Sequence, residues 1–148
     1  MEYKNKYDVL VVGGGHAGCE AAYSAATLGS RVLLISQNLE TIARMSCNPA
    51  MGGIAKGQIL REIDALGGMS AIVTDRSTIQ FRMLNKSKGP AMWSPRAQCD
   101  RKLFEKEWRL ALEGNKNIDF YQDSVEKIII ENKRAVGVVT KMGVKIES

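Results

Sequence analysis

The sequence that decides the fold is DVLVVGGGHAGCEAAYSAATL, residues 8–28. It opens with a short β-branched apolar run, DVLVV, which is typical of a strand buried in a parallel sheet. A glycine-rich turn, GGGHAG, follows at residues 13–18. Beyond it, small and apolar residues recur at helical spacing, namely Ala17, Ala21, Ala22, Ala25 and Leu28. The stretch therefore predicts a strand, a glycine turn and a helix over 16–28.

The next residues complete a βαβ unit. Gly29 is a helix stop, and RVLLI at residues 31–35 predicts a second buried strand. Residues 8–35 therefore have the length of one βαβ unit, about 30 residues, whose crossover is right-handed. We expect an α/β protein with a Rossmann-like FAD-binding fold, in which a parallel sheet carries helices on both faces.

The glycine turn predicts a site for a dinucleotide. It fits the pattern G-x-G-x-x-G and lies between a predicted strand and a predicted helix, which is the context that supports the motif. Gly13 permits the tight turn, Gly15 lets a pyrophosphate approach the backbone, and Gly18 lets helix and strand pack closely. The helix N-terminus then favours the phosphate charge. The expected phosphate loop is Gly13, Gly14, Gly15, His16, Ala17 and Gly18.

One position departs from the usual pattern. An acidic residue about 20 residues after the glycines normally binds the adenosine ribose, but Ser36 stands at the end of the second strand. A neutral Ser36 or Gln37 can still hydrogen-bond a ribose, so the ribose ligand stays open between them. His16 is also open between a contact with phosphate or flavin and an exposed loop side chain.

The remaining pattern predicts further elements without a linker that divides the chain. The apolar residues at 59, 60, 63 and 66 predict a helix that ends at residues 67–68, and residues 85–95 predict a loop. An amphipathic helix is expected from about residue 97 to 113, and residues 118–122 are expected to return to the parallel sheet. Strands are further expected at 79–84 and 144–146, and a hairpin at 125–131 and 134–140.

The positive charge is concentrated in one part of the chain. The formal net charge is +5, and residues 82–109 hold eight basic and three acidic residues, which also nets +5. Such a stretch either attracts phosphate, on a ligand or on RNA, or is a solvated helix face with counterions. Three scattered cysteines with one histidine predict neither a disulfide framework nor a metal site. The charged start of the chain lacks a signal peptide pattern, and no apolar run has membrane-spanning length, so we expect a cytoplasmic protein.

Several longer blocks resemble one known family. GGGHAG is followed by MSCNPAMGGIAKGQ at 45–58, EIDALGG at 62–68, IQFRMLNKSKGPA at 79–91 and RAQCDR at 96–101. In this order they resemble the glucose-inhibited division protein A (GidA/MnmG) family of FAD-dependent tRNA-modifying enzymes. The resemblance extends over essentially the whole chain, so we expect residues 1–148 to be the N-terminal part of an FAD-binding domain.

The resemblance implies a specific activity. Family members modify C5 of the wobble uridine of certain tRNAs to the carboxymethylaminomethyl or aminomethyl form, together with a GTPase partner of the MnmE type. It also implies FAD as cofactor, NADH as reductant, methylene-tetrahydrofolate as one-carbon donor, and a homodimer at full length. Two alternatives remain: a general FAD- or NAD(P)-dependent oxidoreductase acting on a small molecule, and a non-catalytic RNA-binding module.

The resemblance also assigns two further site residues. Val125 matches a position that contacts the adenine end of FAD, through its backbone. Cys47 matches a family cysteine near the flavin that is implicated in activity, where a thiolate could add to C6 of uracil or assist the flavin. The alternative for Cys47 is a small buried residue in a tight loop.

Overall fold

The computed structural model describes residues 6–46 and 48–148, so Cys47 lies outside the described residues. The chain divides into two compact units. The first consists of Met1–Ile42 and Leu112–Ser148, and the second of Ala43–Ala111. In chain order the elements are β1 (Val9–Val12), α1 (His16–Thr27), β2 (Val32–Ser36), β3 (Ala50–Gly52), α2 (Lys56–Ala65), α3 (Ser70–Ser77), β4 (Thr78–Leu84), β5 (Ser94–Cys99), α4 (Arg101–Glu113), β6 (Ile118–Gln122), β7 (Val125–Glu131), β8 (Arg134–Thr140) and β9 (Lys145–Glu147).

The first unit contains a three-stranded parallel sheet in the order β1–β2–β6. Every residue of the central strand β2 is buried, as an apolar strand needs when both faces of a parallel sheet are covered. Three buried residues of α1 (Cys19, Ala22 and Ala26) give this helix a packed side, and the helix contacts all three strands. The sequence prediction of a βαβ unit with a third parallel strand is confirmed.

An antiparallel meander, β7–β8–β9, completes the first unit. Its buried residues Val138, Val144 and Ile146 share one hydrophobic cluster with residues from the parallel sheet and the segment before it, namely Tyr7, Leu33 and Ile35. Burial of this apolar surface fixes the meander against the sheet. The predicted hairpin is confirmed with its bounds, and the third strand begins one residue later than expected.

The second unit is built on an antiparallel sheet in the order β3–β5–β4. Residues that are paired across strands point to the same side of a sheet. Met51 and its partner Ala97 are buried, and the two helices α2 and α3 contact this sheet. Phe81, which is paired with Ala97, lines a cavity of about 320 Å³ together with residues of both helices. The helices therefore cover the side of the sheet that bears Met51 and Ala97.

Two predictions in the second unit were wrong. The expected loop at 85–95 ends in β5, and residues expected to begin the long helix, Ala97–Cys99, belong to the same strand. The helix α4 begins only at Arg101, where the Asp100 carboxylate accepts a hydrogen bond of 2.9 Å from the Leu103 amide. Pairing of β5 with strands on both sides outweighs the apolar spacing that favoured a helix there. The short strand β3 and the helix α3 were also not predicted.

Candidate dinucleotide-binding site

A cavity of about 360 Å³ lies in the first unit, where its parallel strands end. The glycine loop after β1, the end of β2 and the turn between β6 and β7 form its walls. Ligands of open α/β sheets bind in this place, outside the carboxyl ends of the strands. The lining residues are Val12, Gly13, Gly14, Gly15, Ile35, Ser36, Gln37, Asn38, Thr41, Asp123, Ser124 and Val125.

The protein's own geometry requires two glycines of the loop, Gly13 for its backbone conformation and Gly18 for packing. Gly13 has φ +104°, a conformation that other residues rarely adopt, and its amide donates a hydrogen bond of 2.7 Å to the Ile35 carbonyl. A Cβ at Gly18 would overlap the carbonyl oxygen of Gly13. The helix α1 therefore leaves the loop at a distance that only glycine at position 18 allows.

Gly15 is different, because no protein atom requires its lack of a side chain. A Cβ at Gly15 would meet nothing within 4 Å, and its φ of −74° is available to any residue. Gly15 is also the N-cap of α1, and among the described residues no side chain caps this helix or places an acid in its first turn. Open space beside an uncapped positive helix end fits a bound pyrophosphate.

The end of β2 contributes a buried hydroxyl. Ser36 is 9% exposed, and its Oγ donates a hydrogen bond of 3.3 Å to the Asn38 carbonyl. The Asn38 side chain accepts a hydrogen bond of 2.8 Å from the Glu40 amide. These contacts hold the chain after β2 in a turn beside the glycine loop. Gly14 lies close to this part of the chain, because a Cβ at position 14 would be 2.8 Å from Ile42 Cγ1.

The turn between β6 and β7 brings a carboxylate to the cavity. The Asp123 carboxylate accepts hydrogen bonds from the amides of Ser124, at 2.7 Å, and Met142, at 3.2 Å. A hydrogen bond from the Thr140 side chain is the largest cause that lowers the pKa of Asp123, with smaller contributions from these amides and Lys141 and an opposing effect of burial. Asp123 is therefore a fixed anion at the start of the meander.

The structure brings together most of the predicted site residues. Gly13, Gly14, Gly15, Ser36 and Val125 line one cavity. His16, Ala17 and Gly18 form the first turn of α1, directly after it; His16 is half-buried and Ala17 is exposed. Their roles as cofactor ligands stay predictions. Thr41, Asp123 and Ser124 also line the cavity and were not predicted as site residues. The polar pair Asp123-Ser124 directly follows a predicted strand, and this position was the signal that could have indicated the pair.

In residues 6–46 and 48–148, no group of three or more His, Cys, Asp and Glu side chains could hold a metal ion. Within that same range, none of the helices combines the length and the apolar character needed to cross a membrane.

The fold and the cavity define the class to which the protein belongs, that of proteins with a Rossmann-like FAD-binding fold and an antiparallel meander. The sequence profile of the family "Glucose inhibited division protein A" matches residues 8–148. The chain belongs to this family.

Relatives and solved structures agree with this assignment. The chain is 64% identical over 146 residues to the tRNA uridine 5-carboxymethylaminomethyl modification enzyme MnmG of Karelsulcia muelleri, covering 99% of the chain and 24% of that protein. It is similarly 64% identical over 146 residues to MnmG of Flavobacterium johnsoniae, covering 99% of the chain and 23% of that protein. The structure of Aquifex aeolicus GidA matches with a TM-score of 0.92 and 48% identity, over 96% of the chain and 24% of that protein. The chain thus spans about a quarter of the length of these relatives.

More distant structures share the fold alone. A probable FAD-dependent monooxygenase from Pseudomonas aeruginosa, PqsL, matches with a TM-score of 0.65 at 20% identity, over 97% of the chain and 40% of that protein.

Proposed function

We propose that this chain is the FAD-binding part of an enzyme that modifies C5 of the wobble uridine of certain tRNAs. The product is the carboxymethylaminomethyl or aminomethyl form, and a GTPase of the MnmE type is the partner. The observation that carries the proposal is the open space at Gly15 beside the uncapped end of α1, in a chain that is 64% identical to enzymes named for this modification.

FAD fits the residues of the first unit. The amides of the glycine loop at Gly13–Gly18 would hold the pyrophosphate, and the turns at Ser36 and Val125 would enclose the adenosine. Of these, Val125 would act through its backbone. When bound, the flavin supplies electron transfer or carries a one-carbon unit from methylene-tetrahydrofolate, with NADH as its reductant.

Cys47 is proposed as the catalytic thiol. Attack of its thiolate on C6 of uracil would form an S–C6 bond and move the C5–C6 electron pair to C5, which then bonds a one-carbon electrophile. Loss of the C5 proton and of the thiolate would restore the double bond. This role requires that a basic neighbour or helix terminus lower the pKa of Cys47.

We further propose that the protein works in the cytoplasm as a homodimer at its natural length.

The basic stretch at 82–109 supports contact with tRNA, because basic side chains bind the phosphate backbone without sequence choice.

The test compares the wobble nucleosides of total tRNA from cells with and without the gene. We expect the modified uridine to disappear with the gene and to return with the unaltered gene, but not with the variants Gly15→Ala or Cys47→Ser. Purified protein should show a flavin spectrum, which Cys47→Ser keeps and Gly15→Ala loses. A flavin spectrum together with unchanged tRNA nucleosides would contradict the proposal and favour a small-molecule oxidoreductase.

A further inference from the structure

Two arginines are paired directly across the antiparallel sheet of the second unit. Arg82 on β4 is in register with Arg96 on β5, so both side chains point to the same side of the sheet. Like charges directly opposite each other in a sheet are destabilising. The pair therefore opposes folding unless a negative charge lies between the two guanidinium groups.

Two glutamines extend this pair into a small site. Gln80 and Gln98 are also in register, and they lie two residues along the same strands, on the same side as the arginines. Of the described residues, these four line a cavity of about 140 Å³. Its wall thus consists of two guanidinium groups and two amides.

The side of the sheet that holds this site is the one opposite Met51 and Ala97, which the helices cover. On the neighbouring strand β3, the residues paired with Gln98 and Arg96 are Ala50 and Gly52. A second cavity, of about 540 Å³, lies beside Arg96, and Ala50, Gly52 and Lys56 also line it. The open side of the sheet therefore carries three cations and little bulk.

Among the described residues, no acidic side chain pairs with either arginine. All three acids of the basic stretch are engaged elsewhere: Asp100 with the Leu103 amide, Glu105 with Lys102 at 2.9 Å, and Glu107 with Arg76 at 3.3 Å. In the part of the chain that the structure describes, neither the Arg82 side chain nor the Arg96 side chain makes a hydrogen bond or an ion pair. Among the described residues, the two guanidinium groups therefore have no counter-charge.

We propose that Arg82 and Arg96, flanked by Gln80 and Gln98, bind a backbone phosphate group of an RNA strand. Two guanidinium forks match the geometry of phosphate oxygens. The amides both donate and accept hydrogen bonds, so they suit the ribose 2′-hydroxyl next to a phosphate, which a free anion would not need. Such contacts position an RNA strand without reading its sequence. This assignment rests on the proposed function, which makes tRNA the substrate.

The test measures binding of an anticodon stem-loop RNA to the protein at its natural length, with FAD bound, over a range of salt concentrations. For Arg82→Gln/Arg96→Gln we expect a loss of affinity of about 10- to 100-fold. The slope of log K against log salt should fall by about 0.7, because the double variant loses the contact to one phosphate of a single strand. Arg96→Lys keeps the charge but not the fork, so it should lose less affinity and keep most of the slope.

The matched control is Arg61→Gln/Arg76→Gln. It removes the same charge from two exposed residues of the same unit that do not line the site. We expect it to change the affinity less than about threefold. Bound FAD and the melting temperature verify the fold of both variants, and the arginine variant should melt no lower than the unaltered protein because like-charge repulsion is removed.

Three outcomes would overturn the inference. Equal losses of affinity in both double variants would show that only overall charge matters. Loss of FAD from the arginine variant alone would assign the pair to the cofactor. A melting temperature of the unaltered protein that rises on addition of inorganic phosphate, together with an unchanged RNA affinity of the arginine variant, would assign the pair to a free anion. If the unaltered protein binds no RNA at all, the proposed function fails with it.

Discussion

At the scale of single residues, the glycine loop contains two kinds of glycine. Gly18 is required by the protein itself, since a Cβ there would overlap the Gly13 carbonyl. Gly15 faces open space, so no described protein atom requires its missing side chain, and its role in holding a pyrophosphate stays a prediction. Sequence reasoning assigned both roles from the motif, and the structure separates them by steric contact.

This difference predicts opposite behaviour of two alanine variants. Gly15→Ala should fold with an unchanged melting temperature and lose FAD affinity by at least about tenfold, because a methyl group replaces part of the phosphate space. Gly18→Ala should lower the melting temperature as well, since loop and helix must move apart. Thermal unfolding and flavin absorbance of the purified variants measure both effects. Equal melting temperatures for the two variants would contradict this interpretation.

Asp123 should make stability depend on pH in the acid range. The pKa of Asp123 is lowered in the folded protein, first of all by its hydrogen bond with Thr140. The ionised carboxylate therefore stabilises the fold fully at pH values above the pKa of the unfolded chain, about 3.9. This stabilisation is lost as the pH falls through the pKa of the folded protein. Asp123→Asn should therefore unfold at lower denaturant concentration at neutral pH, and the difference should shrink below about pH 4. Glu126→Gln, which also removes one exposed carboxylate, is the control; a similar pH profile for it would contradict the assignment.

At the scale of elements, the start of α4 shows how capping and sheet pairing together set a boundary. The strand β5 is paired on both sides up to Gln98 and with β4 up to Cys99, and Asp100 then caps the helix through the Leu103 amide. The buried side of α4 consists of Phe104, Trp108 and Leu112, spaced by four residues as an amphipathic helix requires. The apolar spacing identified the helix, but the cap decided where it begins.

Loss of this cap should have a measurable cost. Asp100→Ala leaves the Leu103 amide without its partner and should lower the free energy of unfolding by about 1 kcal/mol. Lys106→Ala, on an exposed position of the same helix, should change it by less than about 0.5 kcal/mol. Chemical denaturation measures both values. Similar values for the two variants would show that the Asp100 hydrogen bond contributes no net stability.

At the scale of the whole molecule, the parallel sheet has the order β1–β2–β6, which is one half of the doubly wound pattern. Among the described residues β1 pairs only with β2, and Val12, at the end of β1 and beside the glycine loop, is 56% exposed. In a doubly wound sheet the strand that carries the glycine loop has neighbours on both sides. Pairing on the second side would hold the loop more rigidly.

This arrangement predicts weak cofactor binding by the 148-residue chain alone. We expect its dissociation constant for FAD to be at least about tenfold higher than that of the protein at its natural length, because an edge strand holds the phosphate loop less rigidly. Fluorescence titration with FAD measures both constants. Tight stoichiometric binding by residues 1–148 would show that a second neighbour of β1 is not needed.

The sequence by itself determined the βαβ unit, the glycine loop and the meander. Each of them depends on local periodicity and on turns whose backbone conformations only a few residue types, such as glycine, adopt readily. It also placed Ser36 and Val125 at strand ends. Only the tertiary structure decided that Asp123 joins them at one cavity, that β5 replaces the start of a helix, and that Arg82 lies opposite Arg96. Those features depend on strand pairing between segments far apart in the chain, and the register of such pairing is set by burial on one side of a sheet rather than by any short stretch of sequence.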